Sequence, residues 1–153
     1  MIQREERFFE IAREFEEKVI QVNRVSKKTK GGNRIGFSTL VVVGDKKGRV
    51  GVGLGKARDV ASAIRKGVSY AKKHLITVPI VNGTITSDVL IKRGAAKIFM
   101  KPAPAGSGII AGGAVRHVVE AAGIRNISAK VLGTKNQASN VYATVEALRS
   151  LSK

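Results

Sequence analysis

Apolar runs in the first half of the chain predict three β-strands. IGFSTLVVVG (35–44) and GRVGVGLG (48–55) are rich in strand-forming residues, and the GDKKG segment that joins them has the Gly and Asp of a hairpin turn. VIQVNRV (19–25) predicts the strand before them, and SKKTKGGN (26–33) predicts the loop between. Short connections between consecutive strands indicate an antiparallel sheet.

A helix follows the three predicted strands. Val60, Ile64 and Val68 recur every four residues and predict a helix over about residues 57–73. The first half therefore has the order of an α+β unit, a sheet backed by one helix. Helical spacing in residues 4–17 predicts a further, Glu-rich amphipathic helix, and the pattern leaves open whether it docks on the fold or extends loosely from it.

The second half of the chain alternates between strand and helix patterns. The loop APAGSGIIAGG (103–113) precedes the helical pattern AVRHVVEAA, and Gly123 after this pattern predicts a helix C-cap. The order strand, helix, strand, helix predicts a parallel pair of strands covered on one side. The predicted elements are a strand near 80–92 (one, or two with a bend at Asn82-Gly83), a strand at 96–101, a helix at 114–122, a strand at 126–133 and a helix at 140–151.

Positive charge is concentrated in the first predicted sheet and its helix. From Lys18 to Lys73 there are fifteen Lys or Arg and two acidic residues, Asp45 and Asp59, within a chain of net charge +17. Disordered charged tails lack strand-like runs, so here a folded sheet carries the charge at fixed positions. Such a surface repels itself unless a polyanion neutralises it, which makes nucleic acid the first candidate partner.

Two glycine patterns approach nucleotide-binding motifs and miss their requirements. A P-loop needs Gly where the chain has Val50 and a hydroxyl residue where it has Ala57. Gly106-x-Gly108-x-x-Ala111 lacks the acidic residue that dinucleotide binding needs about 20 positions later. This second loop can hold a single phosphate at a helix N-terminus or serve as an interface. The alternating glycines of GRVGVGLG indicate close approach of another backbone or a bulge, or else contact with an RNA backbone; the two interpretations are compatible, and we favour RNA contact.

Residues for catalysis or metal binding are sparse. Residues 74–153 contain three acidic residues, and the two histidines of the chain, His74 and His117, lack metal-binding spacing. The absence of cysteine excludes disulfides and thiolate metal sites. No apolar run approaches the ~20 residues of a membrane span. The sequence predicts a protein that is not an enzyme, uses no cofactor or metal, and does not span a membrane.

Two long segments carry specific signatures. The first is KVIQVNRVSKKTKGGNRIGFSTLVVVGDKKGRVGVGLGKARDV, and the second is KPAPAGSGIIAGGAVRHVVEAAGIRNISAKVLGTKNQASNVYATVEAL. Their patterns VVGDxxGRVGxGxGKARxV and GxGIIAGGAxRxVxExAGI resemble the two halves of the small ribosomal subunit protein S-five family in its bacterial form. The resemblance covers most of the chain from about Phe15 to Leu148.

The resemblance implies an α+β fold with two domains. Residues 15–76 would form a double-stranded-RNA-binding-like domain, a three-stranded antiparallel sheet plus a helix, after an N-terminal extension at 1–14. Residues 77–153 would form the β-α-β-α C-terminal domain of the family. The implied role is that of a structural constituent of the small ribosomal subunit in the cytoplasm, which binds 16S ribosomal RNA where the body meets the head. The family lies near the path by which messenger RNA enters, contributes to translational accuracy, and neighbours the proteins S-four and S-eight.

The resemblance also points to residues for each partner. Lys30, Gly31 and Gly32 match the family's loop that reaches toward the junction of head and body, and the segment from Gly106 to Gly113 matches its face toward S-four. The candidates are, for ribosomal RNA, Arg24, Lys27, Lys28, Lys30, Gly31, Gly32, Arg34, Lys46, Lys47, Arg49, Lys56, Arg58 and Arg65; for S-four, Gly106, Gly108, Gly112, Gly113 and Arg116; and for S-eight, Asn136, Asn140 and Val141.

Two other classes of function remain open at this point. A stand-alone double-stranded-RNA-binding protein would share the basic sheet but would not need the GxGIIAGG segment. A phosphoryl-transfer enzyme would share the fold of the second domain, but the missing phosphate motif and the few acidic residues argue against it.

Overall fold

The computed structural model describes residues 15–151, and for Lys27 and Asn33 it describes the backbone only. Most of the helix predicted at 4–17 lies outside the described residues, and its last two residues, Glu16 and Glu17, belong to a strand. The described part forms two four-stranded sheets and three helices. The elements are β1 Glu16–Thr29, β2 Gly32–Gly44, β3 Arg49–Ala57, α1 Val60–Lys73, β4 Ile76–Thr77, β5 Val89–Arg93, β6 Ala96–Pro102, β7 Ile109–Ile110, α2 Gly113–Ala122, β8 Ile127–Val131 and α3 Gln137–Ser150.

The first sheet has the predicted arrangement and one strand more. Strands β1 to β4 lie side by side in chain order, and each neighbouring pair is antiparallel. Helix α1 connects β3 to β4, and the two residues of β4 pair with Arg49 and Val50. The predicted antiparallel sheet with one helix is confirmed, with a short fourth strand at its edge.

Strands β1 and β2 extend past the rest of the first sheet as a two-stranded arm. β3 ends at Ala57, opposite Phe37, whereas β1 and β2 remain paired as far as Thr29 and Gly32. The loop predicted at 26–33 is therefore wrong, because only two residues form the turn. None of the helices in the described part of the chain covers the arm, so its residues do not alternate between apolar and polar, and the pattern of a half-buried strand is missing.

The second sheet has the strand order β5-β6-β8-β7. The β5–β6 and β6–β8 pairs are antiparallel, and the β7–β8 pair, joined by α2, is parallel. A parallel pair is thus present, but its first strand is the two-residue β7 inside the predicted loop 103–113, and the predicted strand 96–101 runs antiparallel to β8. A pair of two residues is too short to show a periodicity. Of the strand predicted near 80–92, only the residues from Val89 onward belong to β5.

The molecule has four layers, and the first sheet is buried on both faces at its centre. Residues 38–44 of β2 are all buried. Leu40 and Val42 belong to one core cluster with α2, α3 and the second sheet, whereas Val41 and Val43 belong to a second cluster under α1. The layers are therefore α1, the first sheet, the helices α2 and α3, and the second sheet.

The alternating glycines of β3 let α1 approach the sheet backbone directly. A Cβ at Gly51, Gly53 or Gly55 would collide with carbonyl oxygens of α1; for Gly53 the colliding oxygen is that of Gly67. The interpretation that favoured RNA contact is wrong at these three positions, because the helix covers them. They mark the close approach of two backbones.

Caps fix the ends of the helices. Oδ2 of Asp59 accepts a hydrogen bond from the N–H of Ser62 at 3.0 Å, so α1 begins at Val60, three residues later than predicted. Asn136 caps α3 in the same way, and this helix begins three residues earlier than predicted. Gly123 forms the predicted left-handed C-cap of α2.

We expect Gly53→Ala to lower the free energy of unfolding by about 1–3 kcal/mol, because neither backbone can move away from the added methyl group. Urea unfolding followed by circular dichroism measures the change. Gly31→Ala is the matched control, since a Cβ at Gly31 would meet no atom within 4 Å. An unfolding midpoint of Gly53→Ala equal to that of the wild type would contradict the close contact.

Candidate nucleic-acid interface

The arm carries positive side chains and no acidic ones. The segment from Lys18 to Gly44 contains no Asp or Glu. Arg24, Lys28 and Arg34 are exposed on its paired strands. Because successive side chains alternate, Arg24 and Lys28 point to one face of the arm and Arg34 points to the other. A polyanion can therefore contact the arm from either side.

The tip of the arm is open. Its turn is Lys30-Gly31, and both residues are exposed, as is Gly32 after them. A Cβ on either glycine would meet no atom within 4 Å. These three consecutive candidates thus lie at a place where a phosphate backbone can approach the protein backbone closely.

A groove of about 1050 Å³ lies between the base of the arm and the start of α1. Val25, Ile35 and Ala57 give it an apolar floor. The groove brings Arg34 of β2 together with two candidates that follow more than twenty residues later, Lys56 of β3 and Arg58 directly after this strand. Its positively charged border consists of Arg34, Lys56, Arg58 and Lys66.

Among the described residues that line this groove, the one acidic residue is Asp59, and it is engaged as a helix cap. Hydrogen bonds from the backbone N–H of Ser62 and from its hydroxyl lower the pKa of Asp59 below its ordinary value. The carboxylate is therefore ionised at neutral pH and stabilises the start of α1. Arg65 is exposed and donates a hydrogen bond to Oγ of Ser62 at 3.3 Å, so it lies beside the groove.

Asp45 organises the turn between β2 and β3. Its Oδ1 accepts hydrogen bonds from the N–H groups of Lys47 at 2.8 Å and Arg49 at 3.0 Å, and its Oδ2 accepts one from Nε of Arg49 at 2.8 Å. Burial raises the pKa of Asp45, but these hydrogen bonds outweigh burial and hold the pKa below its ordinary value. Of the three candidates at this turn, Arg49 is held by Asp45, Lys46 pairs with Glu16 at 3.1 Å, and Lys47 is exposed.

The same turn joins the two halves of the molecule. The N–H of Lys46 donates to the carbonyl oxygen of Ala121 at 3.0 Å, and the N–H of Gly48 donates to that of Ala122 at 2.9 Å. A Cβ at Gly123 would collide with the carbonyl group of Lys46. The backbone of this turn is therefore a joint with α2, and its lysine side chains lie at the edge of the joint.

Asn126, which the sequence did not single out, anchors the glycine-rich loop before α2. Its buried Oδ1 accepts hydrogen bonds from the N–H groups of Gly106 at 3.1 Å and Gly108 at 3.0 Å. Both glycines have positive φ, 92° and 72°, where a residue with a Cβ is strained. The amide group of Asn126 thus joins two positions of the loop, and the N–H of Ile127 adds a further hydrogen bond to the carbonyl oxygen of Gly108 at 3.1 Å.

Gly112 and Gly113 lack such an internal reason. Neither has a positive φ; a Cβ at Gly113 would meet no atom within 4 Å, and one at Gly112 would make an ordinary contact at 3.9 Å. Arg116 follows on α2, is exposed, and pairs with Glu120 at 3.2 Å. Together with the anchored loop, these residues form a surface with few side chains.

The three candidates near the start of α3 have different environments. Asn136 is exposed and caps the helix. Asn140 is buried, and its Nδ2 donates to the carbonyl oxygen of Thr134 at 2.9 Å. Val141 is fully buried in the core. Only Asn136 offers its side chain to a partner at the surface.

Within residues 15–151, the titratable side chains are not assembled into a metal or catalytic site. No group of three His, Cys, Asp or Glu in this range is placed to hold a metal ion. Burial lowers the pKa of His117, so its ring is neutral at pH 7. His74 stacks on Tyr70 with the ring centres 4.0 Å apart. In this part of the chain no helix has the length and apolar character to cross a membrane.

The fold and the surface define a class, α+β proteins that hold a polycationic surface at fixed positions on a two-sheet core. Family profiles then identify the chain more closely. The profile of the N-terminal domain of ribosomal protein S5 matches residues 15–79, and the profile of its C-terminal domain matches residues 91–153. The chain belongs to the ribosomal protein S5 family.

Curated relatives agree with this assignment. The small ribosomal subunit protein uS5 of Thermotoga maritima is 51% identical over 138 residues, which are 90% of this chain and 78% of the relative. The protein of the same name from Chloroflexus aurantiacus is 53% identical with the same coverage. The one from Syntrophobacter fumaroxidans is 54% identical over 135 residues, 88% of this chain and 81% of the relative.

We expect Asn126→Ala to free the glycine-rich loop. The change removes the acceptor of the N–H groups of Gly106 and Gly108, so their amide hydrogens should exchange about fivefold faster with solvent, in keeping with the ~1 kcal/mol that an ordinary hydrogen bond contributes. NMR-detected hydrogen exchange measures both sites. Asn126→Asp is the control, because it keeps the acceptor oxygen and should retain protection. Unchanged exchange in Asn126→Ala would show that the loop does not depend on this residue.

Proposed function

We propose that this protein is a structural constituent of the small ribosomal subunit and that its basic surface binds 16S ribosomal RNA. One observation supports this most strongly: the arm and the groove gather cations from several elements onto a sheet that is buried on both faces. A surface of this kind positions RNA and needs no catalytic group. The relatives named above are small ribosomal subunit proteins, and the chain aligns with them over about nine tenths of its length.

The arm is the part of the protein that reaches farthest into RNA in this proposal. Beyond the end of β3 it continues for five residue steps on each strand, from Arg24 to Thr29, which is about 17 Å at ~3.4 Å per residue. Cations on both faces allow it to lie between two RNA segments, and Lys30 with the two open glycines forms the contact at the tip. We propose that this tip lies where the head of the subunit meets its body.

The groove beside α1 supplies the second RNA contact. Its positive border attracts phosphates, and its apolar floor accepts the less polar faces of the riboses. The interaction is mainly with the backbone of the RNA, because the described residues offer few exposed aromatic side chains here. Affinity then comes from counterion release and depends strongly on salt.

The glycine-rich loop and the start of α2 are the proposed contact with S-four. Gly112 is the N-cap of α2 and Gly113 follows it, and neither position needs glycine for a positive φ or for packing. Close approach of a partner backbone is therefore a physical use for these two missing side chains. The loop and the arm are both attached to one core, which gives a partner at the loop a rigid connection to RNA at the arm. We propose that the contribution to translational accuracy uses this connection, near the path by which messenger RNA enters.

The contact with S-eight is proposed at the start of α3. Asn136 is the surface candidate there, and its neighbour Lys135 is exposed as well. Asn140 and Val141 support this surface from below, because both are buried and hold the first turn of α3 against the core.

The experiment is recovery of the RNA that the protein binds in a bacterial cell. An affinity-tagged chain is expressed, its sedimentation is followed on a sucrose gradient, and the RNA that copurifies is sequenced. We expect sedimentation with the small subunit and enrichment of 16S ribosomal RNA. A stand-alone double-stranded-RNA-binding protein, the alternative, would sediment apart from the subunit with duplex RNA of mixed origin, and that result would overturn the proposal.

We expect the triple variant Lys28→Gln, Lys30→Gln, Arg34→Gln to bind a 16S ribosomal RNA fragment more weakly without loss of fold. If the wild type engages ~6 phosphates, log affinity should fall with log salt at a slope of about −4 to −5, and the variant should have a slope smaller by about 2–3. Fluorescence anisotropy over a salt series measures both slopes.

The control for this triple variant removes the same charge from cations that are already paired. Lys72, Arg93 and Arg116 form ion pairs with Glu residues and are not among the candidates for RNA binding, so their replacement by Gln should change the slope less. Equal slopes for the two triple variants would show that only net charge matters. A lost circular dichroism signal in the arm variant would mean that these residues stabilise the fold instead.

A further inference from the structure

Among residues 15–151, helices cover only one face of the second sheet. Ile98, Met100 and Ile127 belong to the core cluster with α2 and α3 and are fully buried. The alternate positions point to the opposite, outer face. There, within residues 15–151, large side chains stay in contact with solvent: Leu90 is 57% exposed and Ile110 is 59% exposed.

Cross-strand pairs show which side chains share this outer face. Lys130 of β8 lies directly opposite Phe99 of β6, and Lys92 of β5 lies opposite Lys97 of β6. Along β6, Lys97, Phe99 and Lys101 alternate with buried residues, at steps of ~6.8 Å. Residues that lie opposite each other or two apart project to the same side. The outer face therefore has one aromatic ring near the centre of four lysines, Lys92, Lys97, Lys101 and Lys130.

The four lysines are not neutralised by the part of the chain that the structure describes. All four are exposed, and none has an acidic partner within 4.0 Å among residues 15–151. The nearest ion pair on β5, from Arg93 to Glu146, leads toward α3. Four like charges fixed on one sheet face repel one another unless an anion of matching extent lies against them.

The combination of lysines with an aromatic ring distinguishes between three possible partners of this face: a protein, duplex RNA and an unpaired RNA strand. A protein interface of ordinary composition is depleted in lysine, and here a lysine adjoins each side of the aromatic ring along β6. Duplex RNA would satisfy the charges but keeps its bases stacked inside. An unpaired strand satisfies both features, because its phosphates meet the lysines and a base stacks on the half-buried Phe99.

We propose that the outer face of the second sheet is a further RNA-binding surface, which takes an unpaired RNA segment with a base on Phe99. This surface is separate from the arm and the groove, because the layer of α2 and α3 lies between the two sheets. The inference goes beyond the proposed function, which uses the first sheet only, and its failure would leave that function standing.

The first test compares two ligands and two charge-matched variants of the full chain. The ligands are an unstructured oligouridylate of about 10 nucleotides and an RNA duplex of about 16 base pairs. Lys97→Gln, Lys101→Gln, Lys130→Gln should weaken oligouridylate binding about tenfold, lower its salt slope by about 2, and leave duplex binding within about twofold. The arm variant Lys28→Gln, Lys30→Gln, Arg34→Gln should affect the duplex more than the oligonucleotide. Equal losses for both ligands in the outer-face variant, or no loss, would overturn the proposal.

The second test locates the base. Ultraviolet cross-linking of the oligouridylate, followed by mass spectrometry, should place a uridine adduct on Phe99. Phe99→Leu should abolish this adduct and weaken oligouridylate binding about fivefold or more, while the unfolding midpoint changes little. Adducts confined to the first sheet would contradict the proposal. Sedimentation equilibrium tests a second alternative. If the wild type self-associates and the outer-face variant does not, the occupant of this face is a second copy of the chain, and the proposal is overturned.

Discussion

Burial of the first sheet on both faces is the constraint on which the rest of the structure depends. Side chains of β2 alternate between two cores: Val41 and Val43 pack under α1, and Leu40 and Val42 pack against the helices of the second half. Each such side chain contributes about 1.5–3 kcal/mol when it leaves water, so the four together tie both halves to one strand. A shift of β2 by one residue would exchange the two sets, and for this reason the register is strongly specified.

The two sides of the sheet meet this constraint in different ways. On the α1 side, β3 presents glycine at every second position, and the helix backbone lies directly on the strand. On the other side, the Asp45 turn docks on the end of α2 through backbone hydrogen bonds. A sheet held in this way can carry a basic arm that is covered by neither layer. The cations of the arm repel one another, which disfavours the folded state. The core contains none of these charges, and its burial offsets this repulsion.

The sequence predicted the parts of the fold in which burial imposes a period, and it failed where burial imposes none. The apolar runs of β2 and β3 and the stripe of α1 were recognised because one or both of their faces meet a core. The end of the arm was predicted as a loop, since residues exposed on both faces of a ribbon show no alternation. β7 was missed because two residues are too few for any pattern. Without β7, the predicted strand order of the second sheet was incomplete. The start of α1 was placed three residues early. Strand β3 continues to Ala57 and Asp59 is the N-cap, so the helix begins only at Val60.

The candidate site shows the same division. The basic residues of the arm and groove could be predicted as a group from charge, but their grouping across three elements required the fold. Asn126 could not be found, since nothing in a single sequence links an Asn at the start of a strand to a loop eighteen residues earlier. Val141 matched a family interface by position, although its apolar character on a helical stripe already favoured a core position.

The glycines separate into three kinds once their surroundings are compared, and the difference bears on function. At Gly53 the absent side chain has an internal cause, because a helix backbone occupies its place. At Gly106 and Gly108 the cause is the backbone conformation itself. At Gly112 and Gly113 neither cause applies, and the space beside the backbone faces out of the molecule. A sequence pattern rich in glycine therefore has no single meaning here: the glycines of β3 hold the protein together, whereas those at the start of α2 leave its surface bare where a partner backbone can approach.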